Sequence, residues 1–314
     1  MLDSFVFSLN TTLPVFVVIV VGMILKRVGL FSETYASLTD KYVFKAALPV
    51  LLFKDISQMN FRDDFDWNFV AFCFVVSLIM FLAVWLASFV ALKDKSMVGA
   101  FAQGAARGSA AILGVALATN IYGTTGLAPL MILSVVPVFN IMSVVILAFS
   151  AAGKENKLSV SVILKNIVTN PIILGILIGI PFALFEIPLP AFASGAVNSI
   201  SATATPMALL AIGASFNLAA AKKKLGVALA ASMVKLFLLP AIFLPVAIAY
   251  GFRDSALVAI FVMLGSPTTV TCYIMSKNMD NDHVLSSNII MLSTLLSSVS
   301  VTFWVFFLKH ASLI

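Results

Sequence analysis

Charge is the scarcest commodity in this chain of 314 residues: Asp, Glu, Lys and Arg together make up 10% of it. A soluble globular domain carries about 25%. Nineteen Lys and Arg with thirteen Asp and Glu are too few to cover a water-facing surface of this size. Cysteine is almost absent, at two residues, which excludes a disulfide-stapled secreted domain. Cys73 and Cys272 form no CxxC and both lie in apolar runs, so they read as small buried apolar residues. Histidine is equally rare, and His283 and His310 sit near the ends of apolar runs. There is no HExxH, no GxSxG and no phosphate-binding loop. An enzyme reading therefore has no catalytic motif, and neither a cofactor nor a metal is expected. No basic run with interleaved aromatic residues points to nucleic acid.

What the chain has in abundance is apolar sequence. Hydrophobic residues are 61% of it and the mean hydropathy is +1.12. A bilayer-spanning helix needs roughly 20 mostly apolar residues. Ten such runs can be counted, near 10 to 28, 36 to 53, 67 to 92, 98 to 120, 126 to 150, 159 to 184, 191 to 216, 226 to 250, 255 to 276 and 285 to 308. They leave no room for a separate soluble domain, so residues 1–314 are read as one all-α, polytopic membrane domain. No basic residue precedes the first run and Lys26-Arg27 follows it, which predicts a retained span rather than a cleaved signal peptide. Asn10-Thr11-Thr12 matches a glycosylation sequon but abuts that span and reads as chance.

Basic residues in short loops set orientation. The odd-numbered loops hold Lys26, Arg27, Lys93, Lys95, Lys154, Lys157, Lys165, Lys222, Lys223, Lys224 and Lys277. The opposite side holds Lys54, Arg62, Arg253 and Lys309. The odd loops are therefore expected in the cytoplasm, with both termini and the acidic Asp63-Asp64-Phe65-Asp66 stretch outside.

The two halves match at a constant offset of 157 residues: Leu13-Pro14 with Asn170-Pro171, Gly22 with Gly179, Pro49 with Pro206, and Gly108-Ser109 with Gly265-Ser266. Beyond that the offset becomes 159, pairing Leu133-Ser134 with Leu292-Ser293. Five spans per half is odd, so the second half must enter the membrane from the other side. The expectation is a 5+5 inverted repeat, residues 1–153 and 154–314, the architecture of secondary transporters. In such folds cargo binds where paired helices are interrupted, because the freed N–H and C=O groups need partners. The fourth span carries Gly104, Gly108-Ser109 and Gly114, and the ninth carries Gly265-Ser266-Pro267-Thr268-Thr269. These matched segments are the candidate broken helices. Small residues that merely allow close helix packing are the alternative.

Several of these segments resemble the auxin efflux carrier family, whose plant members include the PIN proteins. The second span reads Tyr42-Val43-Phe44-Lys45-Ala46-Ala47-Leu48-Pro49-Val50-Leu51-Leu52-Phe53, and the fourth reads Arg107-Gly108-Ser109-Ala110-Ala111-Ile112-Leu113-Gly114. Val136-Pro137-Val138-Phe139-Asn140, Thr169-Asn170-Pro171, Thr205-Pro206-Met207 and Ser266-Pro267-Thr268-Thr269 follow in the family's order. The resemblance implies ten helices, a scaffold and a transport domain, crossing broken helices four and nine, elevator-like movement and organic-anion cargo. Such folds are bile acid/sodium symporter-like, or NhaA-like. Ser109 stands where the family often has Asn, and Ala116 where it often has Pro. A homodimer is implied by the resemblance alone.

All thirteen acids fall in loops or near span ends, whereas Lys45, Arg107 and Lys235 lie within or near the membrane. Charges there are costly and usually functional. Positive charge without deep carboxylates suits an anionic cargo. Arg107, Gly108, Ser109, Asn140, Ser266, Pro267, Thr268 and Thr269 are the candidate cargo-binding residues. Asp40, Lys45 and Lys235 are the candidates for coupling. Lys235 could instead snorkel to the cytoplasmic interface, Lys45 could pair with Asp40, and Asn140 could serve only to join helices. The expected function is secondary transport of small organic anions, either auxin-like monocarboxylates or malonate-type dicarboxylates. A sodium-coupled bile-acid-type symporter and a non-transporting membrane receptor are the alternatives.

Overall fold

The computed structural model describes residues 2–58, 66–110, 117–119, 121–122, 124–155, 164–165 and 167–314. Arg62, Asp63, Asp64, Gly114, Ala116 and Lys157 lie outside the described residues. The described chain is helical, and it contains no strand beyond an isolated antiparallel bridge between Gly108 and Thr268.

Helix α1 spans Leu2–Arg27. Helices α2 (Glu33–Tyr42) and α3 (Leu48–Ser57) run on through a π turn at Val43–Ala47. Then come α4 (Trp67–Ala91), α5 (Val98–Ala106), α6 (Ala128–Glu155), α7 (Pro171–Leu184), α8 (Ala191–Ser215) and the short α9 (Leu218–Lys223). Helices α10 (Leu225–Met233) and α11 (Leu239–Ala249) are joined by a second π turn at Val234–Leu238. Last are α12 (Asp254–Gly265), α13 (Thr271–Asn278) and α14 (His283–His310). Among the described residues, five stretches are long and apolar enough to cross a membrane: Trp67–Ala91, Ala128–Ala151, Ala191–Ser215, Leu225–Ala249 and His283–His310.

Local chemistry explains where these helices start and widen. Asp66, Asn170 and Asp282 each accept a backbone N–H from the first turn of α4, α7 and α14. Such a cap is worth about 0.5–2 kcal/mol. Asn170 is followed by Pro171 at the first helical position, where a missing N–H costs nothing. Both π turns sit just before a proline, Pro49 and Pro240. A proline has no N–H to offer the carbonyl four residues back, and its ring pushes that carbonyl away. The preceding turn therefore widens: Leu48 N–H donates to Val43 O, and Leu239 N–H to Val234 O.

Two apolar cores form. One joins residues of α1, α2–α3, α7 and α8 with parts of α6, α13 and α14, from Ile19 and Leu52 to Ile176 and Tyr273. The other joins α4, α5, α6, α10–α11, α12 and α14, from Phe69 and Met80 to Phe261 and Trp304. Within the first core, glycines let helices touch backbone to backbone. A Cβ on Gly22 would overlap the Leu210 carbonyl oxygen, and one on Gly213 would overlap that of Ile19, so α1 and α8 meet directly. In the same way Gly175 of α7 abuts the Pro49 carbonyl, and Gly179 lies against Ile56 and the Phe53 carbonyl of α3. The contact pairs Gly22–Leu210 and Gly179–Phe53 are related by the 157-residue offset of the sequence.

Candidate functional site

Helices α5 and α12 both stop short inside the apolar interior. Arg107 and Ser266, the residues after them, are extended, with ψ of 119° and 150°. Two short extended segments then pass one another. Gly108 bridges Thr268, and Ser109 N–H donates to Pro267 O at 2.8 Å. The chain turns helical again at Ala110 on one side and at Thr271 on the other. Pro267 forbids a continuous helix through the second segment, since it can neither donate nor fit beneath the preceding carbonyl. Gly108 is required by crowding: a Cβ there would clash with Ser266 Oγ and lie 2.9 Å from Lys235 Cε.

Breaking two helices frees carbonyls that have no water to bond. The protein supplies their partners. Thr268 Oγ1 donates to Gly104 O at 2.7 Å. Lys235 Nζ donates to Ala106 O and to Met263 O, both at 3.0 Å. The Thr268 N–H in turn donates to Ser293 Oγ of α14 at 3.0 Å. Lys235 is wholly buried, so it crosses the interior to the break instead of reaching out to the membrane interface.

Against this crossing lies a cavity of about 230 Å³. Asp55, Arg107, Ser109, Asn140, Thr205, Thr269 and Thr271 contribute its polar wall, and Leu48, Leu51, Leu52 and Phe139 are among its apolar residues. Arg107 is buried, donating from Nη2 to Asn140 Oδ1 at 2.7 Å and from Nη1 to Met275 Sδ at 2.9 Å. Asn140 Nδ2 donates to Val136 O at 2.8 Å, which fixes the amide so that its oxygen faces the guanidinium. A guanidinium has five donors in a rigid fork and suits carboxylate recognition. Two of its hydrogen bonds are accounted for here by neutral acceptors. Neither of these two acceptors is a carboxylate, and the one carboxylate in the cavity wall is that of Asp55.

The residues expected from sequence divide by place. Arg107, Gly108, Ser109, Asn140 and Thr269 line the cavity. Ser266 and Thr268 are buried in the crossing itself, and the Thr268 hydroxyl is committed to Gly104 O. Pro267 joins the crossing through its carbonyl. Asp40 is buried and pairs with Lys277 of α13, not with Lys45, whose side chain is exposed. Lys277 also donates to Tyr273 Oη at 3.0 Å and Ser215 Oγ at 3.2 Å.

Asp55 lies beyond the second apolar run of the sequence, yet α3 continues to Ser57 and carries Asp55 into the cavity wall. Its spacing was the available signal, since Leu48, Leu51, Leu52 and Asp55 fall at helical intervals on one face. Buried Gln103 was also missed. It accepts from Ser276 at 3.3 Å and donates to Met275 Sδ at 3.4 Å, tying α5 to α13.

A family model described as "Membrane transport protein" matches residues 7–305. The chain belongs to that family. It is the auxin efflux carrier family that the motifs resemble, and its members are transporters, not enzymes. A relative from Methanothermobacter thermautotrophicus, described as an uncharacterized transporter, is 23% identical over 301 residues, covering 96% of this chain and 98% of its own. Membership of this transporter family, together with several long apolar helices, makes the protein a multi-pass membrane protein. Among the described residues no group of three or more His, Cys, Asp and Glu could hold a metal ion.

Proposed function

We propose that this transporter carries small organic anions, with the carboxylate bound at Arg107 beside the crossing of the two interrupted helices. The observation that carries the reading is the buried guanidinium in the cavity wall, held by the neutral Asn140 and Met275. Ser109, Thr269 and the first turn of α13 would supply further donors to an anion. The cavity's 230 Å³ lies below the roughly 300 Å³ at which pockets for drug-sized ligands begin. That favours a compact monocarboxylate or dicarboxylate and weighs against a bile-acid-sized cargo.

Elevator-type movement of a ten-helix inverted repeat is our reading of the mechanism. Two facts support it: the separate core built largely on α1, α2–α3, α7 and α8, and the reciprocal glycine contacts at the 157-residue offset. On the orientation expected from the basic loops, the cavity lies towards the outer end of α3, and the Asp40–Lys277 pair lies towards the cytoplasmic end.

The test is uptake into proteoliposomes of radiolabelled malonate, other small dicarboxylates, indole-3-acetate and a bile acid. Saturable uptake of a small carboxylate, lost in Arg107→Gln at equal protein content, is expected. Pro267→Ala should also reduce uptake while leaving expression intact. Uptake of small anions that is indifferent to both substitutions would overturn the site, and transport of the bile acid alone would overturn the cargo class.

A further inference from the structure

Lys235 has no part in the proposed cargo binding, yet it is the least exposed charged residue among the described residues. Its side chain is fully buried. It leaves the helix at the π turn between α10 and α11, and its ammonium ends between the last turns of both interrupted helices. One acceptor, Ala106 O, is the final residue of α5, and the other, Met263 O, lies two residues before the end of α12. Each helix C-terminus carries roughly half a negative charge. Two such ends converging away from water repel one another and call for a cation. In many membrane carriers with broken helices a free alkali ion fills this need, coordinated by unwound carbonyls.

Three further observations make this a built cation position. The two carbonyl distances are equal, at 3.0 Å, and come from the two different broken helices. Ser266 Oγ is fully buried with no hydrogen-bond partner among the described residues, and it flanks the same glycine, Gly108, as Lys235 Nζ. The Phe139 ring lies 6.0 Å from the ammonium, its face adding to the cation's surroundings. The only formal charge among these groups is that of the lysine: two carbonyls, a hydroxyl and an aromatic ring are the ligand set of a monovalent cation.

We infer that Lys235 is a tethered cation, standing at the crossing where a free coupling ion would otherwise bind, so that the crossing is complete without an alkali ion. Removing the side chain leaves a site whose carbonyls and hydroxyl admit a small monovalent cation. The inference rests on the crossing as the centre of the carrier. Its test needs no cargo and so is separable from the uptake experiment.

The test is the thermal midpoint of the purified full-length protein in detergent, titrated with sodium chloride, ammonium chloride or choline chloride at matched ionic strength. Choline is too large for the site and reports the general salt effect. Wild-type protein should respond alike to all three salts. Lys235→Ala should melt lower than wild type in choline, and sodium or ammonium should raise its midpoint saturably by several degrees. Lys235→Met fills most of the same volume without charge and serves if the alanine variant does not accumulate. Lys235→Arg, still cationic, should gain no sodium response. Two results would overturn the inference: a saturable sodium effect on wild type, or alanine and methionine variants no more sensitive to sodium than to choline. The wild-type titration decides on its own if neither variant can be purified.

Discussion

The buried pair of Asp40 and Lys277 joins α2 to α13, the helix that resumes after the second interruption. Asp40 is 2% exposed at its side chain and Lys277 23%. If α13 moves away from α2 when the carrier opens, this pair must open. Removing one partner of a fully buried pair costs about 3–5 kcal/mol, whereas exposed pairs are worth about 0.2–1 kcal/mol. Lys277 is partly exposed and keeps Tyr273 and Ser215 as hydrogen-bond partners. The loss in Asp40→Asn therefore falls between those limits, at about 2 kcal/mol. When the pair forms only in the closed arrangement, that difference raises the opened population about 30-fold.

Thiol labelling reads this directly. Cys73 and Cys272 are both fully buried, so the natural thiols contribute little background. Thr39 is buried beside Asp40, so a Thr39→Cys thiol is expected to react only when the packing around α2 opens. In the regime where opening is fast compared with modification, the labelling rate follows the opened population. Asp40→Asn should speed modification of Thr39→Cys by about 30-fold. Adding Lys277→Met should reverse most of that gain, because a neutral, well-packed pair no longer strands a buried charge. An unchanged rate in Asp40→Asn, at equal amounts of folded protein, would refute the reasoning and reduce the pair to a static contact.

Gly213→Ala forces a Cβ into the Ile19 carbonyl and should destabilise by about 1–3 kcal/mol; Gly226→Ala, which meets open space, should not lower the melting midpoint measured beside it. Asn140→Ala removes the acceptor 2.7 Å from Arg107. A hydrogen bond to a charged group is worth about 1.5–3 kcal/mol, so the apparent affinity for the carried anion should fall by at least tenfold in uptake assays while the folded yield holds. Asp55→Asn neutralises a carboxylate that shares the cavity with Arg107. Anion affinity should rise severalfold, and a fall would mean that Asp55 assists binding instead of opposing it.

The broken helices were legible because they rest on local chemistry. Pro267 in mid-span must interrupt a helix, and Gly108 leaves the room that the close crossing of the two segments needs. The Asn170-Pro171 start of α7 falls inside the sixth apolar run, 159 to 184, and not at its beginning. Long-range polar pairing was not legible. Nearness in sequence suggested Lys45 as the partner of Asp40, but the π turn turns Lys45 outward, and packing brings Lys277 from the far end of the chain. Asn140 reads from sequence as a cargo ligand before helix glue, and only the Arg107 contact shows which group it orients. The Thr268 hydroxyl looked free for cargo because its acceptor, Gly104 O, exists only once α5 has ended nearby.

Lys235 links these levels. Pro240 cannot donate to the carbonyl four residues back, so the turn before it opens by one residue. One extra residue in a turn rotates everything upstream by about 100° relative to a regular helix. In α2–α3 the same device before Pro49 turns Lys45 to the surface, because Val43 and Phe44 take the inward positions. In α10–α11 it turns Lys235 inward, onto carbonyls released by two other interruptions. The cation at the crossing therefore depends on three prolines and glycines in three different segments: Pro240 aims it, Pro267 opens one acceptor helix, and Gly108 leaves the space it occupies. Each residue taken alone reads as a common membrane-helix irregularity. Their shared purpose emerges only where the three segments meet, at a place where water is absent and every freed carbonyl must find a donor within the protein.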